Sequence, residues 1–273
     1  MTVPRVFDWS RWPTNVGLKD ITPEDRERGF DSFRGGFNDR TDTAPQPLFT
    51  LILLKALLAH ESPRVLDIGC GHGIGTKDEY QWLLSAMAGE YWGIEPDPEV
   101  PIDDKVVPHL QRCLLEDAEL PADYFDVAFA MFVVEHVKDP EGFFRAVERC
   151  LKPGGQFIFL TSNGSAFFTL VAKWLKRLGL VEIVHTLLRR AQEKEVEHYP
   201  VFYRVNKPGQ INAAAAAAGL NQPEYAYFQF DGTNGYFPGP FQPLYHLLMR
   251  TRRMRGNPAC LDNMIVRITK PIR

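Results

Sequence analysis

The chain has 273 residues, room for one good-sized domain or for one domain carrying an inserted cap. With 45% hydrophobic and 24% charged residues it is neither a disordered tail, a collagen nor a low-complexity array. Its 31 Lys and Arg against 34 Asp and Glu leave a net charge of −3, so no overall field favours nucleic acid or an anionic membrane.

Cys70, Cys113, Cys150 and Cys260 are scattered, with no CxxC pair, as expected of a reduced, cytoplasmic protein. The opening MTVPRVFDWSRWP lacks the apolar stretch of a signal peptide. The greasiest window, Leu48 to Leu58, is too short to span a bilayer and contains Lys55.

In chain order, residues 1–45 are rich in Trp, Phe, Arg, Pro and Gly without a sustained period, and are expected to lie across a pocket mouth. A mostly buried helix is expected over Gln46–His60. After Pro63 short apolar runs alternate with helix-like segments. The strand candidates are Arg64–Ile68, Tyr91–Glu95, Arg112–Leu115, Asp126–Ala130, Gln156–Thr161, Glu224–Phe230 and Asn263–Thr269. Helices are expected near Thr76–Ala88, Glu141–Cys150 and Pro208–Ala218, the last with an alanine run closed by Gly219. Leu151-Lys152-Pro153-Gly154-Gly155 reads as a stop and a turn.

Repeated strand–helix–strand units predict a parallel sheet covered on both faces, with ligands beyond the carboxyl ends of its strands. Residues 163–206 break the alternation. Phe167, Val171, Trp174 and Leu178 fall on one helical face there, which makes the segment an amphipathic helical insertion. The expected organisation is therefore an acceptor-side segment at 1–45, a core at 46–162 and 207–273, and a helical lid at 163–206. Lys173, Lys176, Arg177, Arg189 and Arg190 leave open a second reading of 163–190 as an interfacial, membrane-contacting helix.

Val65-Leu66-Asp67-Ile68-Gly69-Cys70-Gly71-His72-Gly73 carries the most chemical information. An apolar strand ends in an acid, and glycines follow at alternate positions, where backbone must approach something more closely than a Cβ permits. The dinucleotide fingerprint G-x-G-x-x-G fails in either register, since its third glycine would fall on Ile74 or Thr76. No Gly-Lys-Ser/Thr follows, so a P-loop is excluded. The next strand runs into Glu95-Pro96-Asp97, whose carboxylate suits a ribose diol, and the third into Glu116-Asp117-Ala118, suited to an adenine amino group. A glycine loop followed by these two acids points to an adenosine ligand without a pyrophosphate.

The motifs VLDIGCGHG, GIEPD, EDAELP, FDVAFAMFVVEHVKDP and LKPGGQFIF, in order and in register over Arg64 to Asn163, resemble the core of class I S-adenosylmethionine-dependent methyltransferases of the small-molecule "type 11" kind. The resemblance implies a Rossmann-like α/β fold: a seven-stranded, mostly parallel sheet in the order 3-2-1-4-5-7-6, helices on both faces and a helical insertion after strand five. It implies S-adenosylmethionine as cofactor, with Asp67, Gly69 and Gly71 along its methionine portion, Glu95 on the ribose, and Asp117 with the Ala118 amide on the adenine. Cys70, Gly73, Pro96 and Phe132 complete the expected cofactor contacts.

Glu135-His136 resembles the same dipeptide of the ubiquinone-type O-methyltransferases, where a further Glu three residues before the pair helps to bind a divalent metal. Here that position is Phe132, and a site short of a hard oxygen ligand holds Mg²⁺ poorly, so no metal is expected. The expected reaction is in-line methyl transfer to a small-molecule or lipid-like acceptor, at oxygen, with His136 as the candidate base. Phe33, Phe37, His198, Tyr199, Tyr203 and Arg204 are the candidate acceptor-side residues. The alternatives are a non-catalytic scaffold on the same fold and an NAD(P)-dependent oxidoreductase. A nucleic-acid partner is not expected.

Overall fold

Val65, Leu66, Asp67 and Ile68 are all buried, because a strand at the centre of a parallel sheet is covered on both faces. In the computed structural model this strand, β1 (Arg64–Ile68), has β2 (Glu90–Ile94) on one side and β4 (Phe125–Met131) on the other, all parallel. The structure describes residues 45–71, 73–74, 78–166, 200–228, 243, 247, 261 and 263–272. The remaining strands are β3 (His109–Gln111), β5 (Leu151–Ser162), β6 (Glu224–Phe228) and β7 (Asn263–Thr269). The order is β3-β2-β1-β4-β5-β7-β6, with β7 antiparallel to both its neighbours, as expected from the sequence.

Four described helices cover the two faces. Helix α1 (Pro45–Leu58) is apolar nearly all round and packs with α2 (Asp78–Met87) on one side of the sheet, in a core with Val65, Tyr91 and Phe129. Helices α3 (Pro140–Cys150), opened by Pro140 in the first turn, and α4 (Pro208–Ala217) lie in the core of the other side, against Leu66, Phe157 and Phe159.

Two expectations are corrected. The third strand lies at His109–Gln111 and not at Arg112–Leu115. The indole of Trp92 on β2 stacks on the His109 ring at 4.8 Å and sets the edge strand there, while Leu115–Asp117 coils into a 3₁₀ turn. The apolar pair Leu114-Leu115 is therefore no part of a strand. Helix α3 does stop at Cys150, but Leu151 already pairs with Phe125, and the next pairing is Gln156 with Val127. Residues 152–155 bulge out of β5 between them, with Gly154 at φ 82°.

The two ends of the 163–206 segment meet. The Gly164 N–H donates to the Asn206 carbonyl at 2.6 Å, and Val205 and Asn206 are fully buried. Most of that segment, and all of 1–44, lie outside the described residues, as do the expected organisation's lid and N-terminal parts.

Phe129 on β4 joins the layers, with edge-on rings from Phe49 of α1 at 6.2 Å and Tyr91 of β2 at 6.4 Å. Phe129→Ala is expected to cost about 3–5 kcal/mol, read as a lowered urea midpoint in equilibrium unfolding.

Candidate functional site

The sheet order reverses direction of progression beside β1, between β1 and β4, and such a switch point opens a crevice at the carboxyl ends of the strands. Gly69 leaves β1 at φ 74°, and its N–H and that of Cys70 both reach the Ile94 carbonyl, at 2.7 and 3.2 Å. Gly73 turns at φ 66° and donates to the Cys70 carbonyl at 3.3 Å. These are left-handed backbone conformations that glycine adopts at little cost.

The close approaches made by this loop are first of all to the protein's own side chains. A Cβ on Gly69 would lie 2.4 Å from Val133 Cγ2, and one on Gly71 would lie 2.6 Å from Glu95 Oε2. The alternate glycines thus let the β4 end and the Glu95 carboxylate close onto the loop, which adds a cause to the ligand approach expected from the sequence.

Glu95 is 7% exposed. Its Oε2 accepts from the Gly71 N–H at 3.0 Å and its Oε1 from the Asp97 N–H at 3.0 Å. One backbone donor on each oxygen fixes the plane of the carboxylate and leaves lone pairs for further donors. The following loop, with Pro96, is pinned by Arg112, whose guanidinium donates to the carbonyls of Asp97 and Val100.

Asp67 is buried beneath the glycine loop. Its Oδ2 accepts from Gln81 Nε2 and from the Tyr91 hydroxyl, each at 2.8 Å. Burial pushes its carboxyl up to about 7; the two donors oppose that shift, and Glu95 adds to it. Burial also pushes the Cys70 thiol up, so Cys70 is present as a neutral packing group.

At the next strand end Asp117 is exposed, at the close of the 3₁₀ turn, and Ala118 is buried. The Ala118 N–H closes that turn on the Leu115 carbonyl at 3.2 Å. This is the amide that the sequence reading sets against a base, and Asp117 is the polar side chain presented beside it at this edge.

β4 ends in a backbone outlier. Phe132 sits at φ 53°, held there by its N–H to the Leu160 carbonyl at 2.8 Å. Such strain persists where surrounding structure over-determines it, often at a binding site. It turns the chain into a 3₁₀ turn, Val134–His136, that carries Glu135 and His136. Glu135 is 7% exposed, and its Oε2 accepts from the Thr161 hydroxyl at 2.9 Å. Burial pushes this carboxyl, too, up to about 7.

Residues 200–204 fold back onto this turn. The N–H groups of Phe202 and Tyr203 donate to the Glu135 carbonyl at 2.9 and 3.0 Å, with Tyr203 at φ 51°. His136 Nδ1 lies 3.2 Å from the Pro200 carbonyl, which can only accept, so Nδ1 carries the proton and a neutral ring has its lone pair on Nε2. Burial and the Glu135 carboxyl raise the Tyr203 phenol. Arg204 turns to the Lys138 carbonyl at 2.6 Å, in the wall of a surface groove of about 780 Å³ that also includes Asp117, Pro140 and Ala214.

The structure thus gathers Asp67, Gly69, Cys70, Gly71, Gly73, Glu95 and Pro96 around one loop, and brings Phe132, His136 and Tyr203 together at the end of β4. Phe33, Phe37, His198 and Tyr199 lie outside the described residues. Gln81, Tyr91, Glu135 and Thr161 are not legible as site residues in the sequence: the first two come from the middle of ordinary elements, and Glu135 resembles only a fragment of a metal site. No group of three or more His, Cys, Asp or Glu side chains suited to a metal occurs among the described residues. No described helix is long and apolar enough to cross a membrane.

This sheet order with a glycine loop at the switch point is the architecture of class I S-adenosylmethionine-dependent methyltransferases. Residues 40–221 match the family model described as a methyltransferase domain, and the chain belongs to that family. Over 206 residues it is 28% identical to the ubiquinone biosynthesis O-methyltransferase of Chromobacterium violaceum, covering 70% of this chain and 78% of that one. The Pseudomonas syringae protein of the same name is 31% identical over 169 residues, 58% of this chain and 64% of that one. Among solved structures, the YcgJ protein of Bacillus subtilis superposes with a TM-score of 0.50 at 18% identity, covering 82% of this chain and 98% of that one. The [4+2]-cyclase SpnF does so with 0.50 at 15%, covering 94% and 97%. These last two likenesses carry the fold alone.

The raised Asp67 has a consequence for stability. The unfolded chain ionises this group near 3.8 and the folded chain near 7, so the folded state binds more protons in between, and stability falls as pH rises across that window. Asp67→Asn is therefore expected to match the wild type at pH 4 and to exceed it at pH 8, by a few kcal/mol in order of magnitude, in urea unfolding of the protein without donor.

Proposed function

We propose that this methyltransferase moves the methyl group of S-adenosylmethionine to an oxygen of a small-molecule or lipid-like acceptor. The observation that carries the reading is His136 in the turn at the end of β4, its ring oriented by the Nδ1 contact with the Pro200 carbonyl. A hydroxyl needs to lose its proton as it attacks, and an imidazole placed at the acceptor side is a suitable group to take it. The naming of the Chromobacterium and Pseudomonas relatives as O-methyltransferases supports the same reading.

The residues present fit the donor. In this reading the loop from Asp67 through Gly69, Cys70, Gly71 and Gly73 lies along its methionine portion. Glu95 accepts from the ribose hydroxyls with Pro96 beside the ring, Asp117 takes the adenine amino group against the buried Ala118, and Phe132 packs between donor and acceptor. When bound, the donor supplies an electrophilic methyl on a positively charged sulfur, so that much of what remains for the protein is alignment. His136 takes the acceptor proton at Nε2, while Pro200 holds its tautomer. Tyr203 faces the acceptor from the folded-back segment, and Phe33, Phe37, His198, Tyr199 and Arg204 belong to the acceptor side. Residues 163–206 act as the lid between core segments 46–162 and 207–273, with 1–45 over the mouth; the protein works in the cytoplasm without a metal and without nucleic acid.

Two measurements test this. By titration calorimetry, Glu95→Ala is expected to weaken S-adenosylmethionine binding by ~30-fold or more, since hydrogen bonds to a carboxylate contribute ~2–4 kcal/mol; unchanged affinity overturns the assignment of the ribose site. In an assay of S-adenosylhomocysteine release, hydroxyl acceptors such as catechols are expected to be turned over and primary amines not, with His136→Ala lowering kcat by ~10²-fold or more. Turnover of amines alone overturns oxygen as the acceptor atom.

A further inference from the structure

Gln81 and Tyr91 are almost completely buried, at 5% and 2% exposed, and neither belongs to the glycine loop. Both converge on Asp67 Oδ2 at 2.8 Å, Gln81 from α2 and Tyr91 from β2. Gln81 does more: its Nε2 also donates to the Cys70 carbonyl at 2.8 Å, the same oxygen that accepts from the Gly73 N–H. A single side-chain amide therefore ties the acid before the loop to the carbonyl at its middle, and through that carbonyl to the glycine that ends it. A loop with two left-handed glycines has an unusually wide choice of conformations when untied. The clamp removes that choice before a ligand arrives.

We propose that Gln81 and Tyr91 are positioning residues for methyl transfer, which act through Asp67 and the Cys70 carbonyl to hold the Gly69–Gly73 loop preformed for the cationic donor. The inference rests on the reading that this loop and Asp67 receive the methionine portion of the donor. Energetically, a preformed loop spares binding the entropy of ordering it. Electrostatically, a buried carboxylate stays ionised only as far as its donors favour the charged form. The ionisable groups set against Asp67 are Glu95, which disfavours its ionisation, and the Cys70 thiol and Tyr91 phenol, both pushed up by burial and neutral. The hydroxyl of Tyr91 and the amide of Gln81 are the groups that pull the other way. Removing either moves Asp67 further toward its neutral form, which offers a cation nothing.

Calorimetric titration of the full chain with S-adenosylmethionine and with S-adenosylhomocysteine, from pH 6 to pH 9, tests this with Tyr91→Phe and Gln81→Met. Wild-type affinity for S-adenosylmethionine is expected to fall below about pH 7. Tyr91→Phe, which removes one oxygen and keeps the ring packing, is expected to move that fall upward by about one pH unit, a loss of ~5-fold at pH 7 that is recovered by pH 9. Gln81→Met is expected to weaken both ligands ~10-fold or more even at pH 9, because the loop tie is lost whatever the state of Asp67. A purely structural role would lower the melting temperature and leave the pH midpoint where it was. A wild-type midpoint in Tyr91→Phe together with affinities within twofold in both variants overturns the proposal. Asp67→Asn separates the underlying reading: if it binds the donor with wild-type affinity and pH dependence, Asp67 itself is not part of the donor site.

Discussion

A carboxylate buried under a parallel sheet's switch-point loop is the constraint around which this end of the sheet is built. Burying an ionised carboxylate costs far more than burying an amide, and the cost is met only where hydrogen-bond donors point at it. Here those donors come from two different elements, so Asp67 can be charged only when α2 and β2 both sit correctly on β1. The same requirement fixes the loop, since the amide that serves Asp67 also serves Cys70. Local chemistry and global packing thus depend on each other: Phe129 packs against Tyr91 from β4, and Tyr91 delivers the hydroxyl.

The end of β4 solves a related problem with different parts. Glu135 is pushed up to about 7 by burial, as Asp67 is, but it keeps the Thr161 hydroxyl as a partner and lies under a segment that returns from the end of the long insertion. The two acids stand at the ends of different strands, β1 and β4, on the two sides of the switch point. Each carboxyl is held above its unfolded-state pKa, so each lowers the stability of the protein as pH rises through that window. The strained Phe132 belongs to this side, because only the hydrogen bond to Leu160 and the 3₁₀ turn beyond make a positive φ tolerable for so large a residue.

Much of this was legible in the sequence, and the reasons differ from residue to residue. The strands β1 and β7 could be placed to the residue because each is a mostly apolar run, broken by Asp67 in one and Arg267 in the other, that stops at glycine or polar positions. β3 could not, because it is a three-residue edge strand whose position depends on a ring stack with Trp92, a contact no periodicity encodes. Glu95 was legible through its place after a strand. Gln81 and Tyr91 were not, since an amide on a helix and a phenol on a strand look like ordinary surface and core residues until the fold brings them to one oxygen. Glu135 was visible as a residue but not as a buried one, because its carboxyl turns inward to the Thr161 hydroxyl of β5, a partner distant in the chain.

A sheet of this order also supports a cyclase, so the fold by itself assigns no reaction. The arrangement after β4 is more particular than the fold. The Pro200 carbonyl makes Nδ1 of His136 the protonated nitrogen of a neutral ring. Glu135, beside it in the chain, is turned the other way, toward Thr161 of β5, and its carbonyl, not its carboxyl, anchors the segment at 200–204. One short turn thus serves two purposes: through His136 and the Glu135 carbonyl it fastens the returning segment, and through the Glu135 carboxyl it is itself fastened to the sheet.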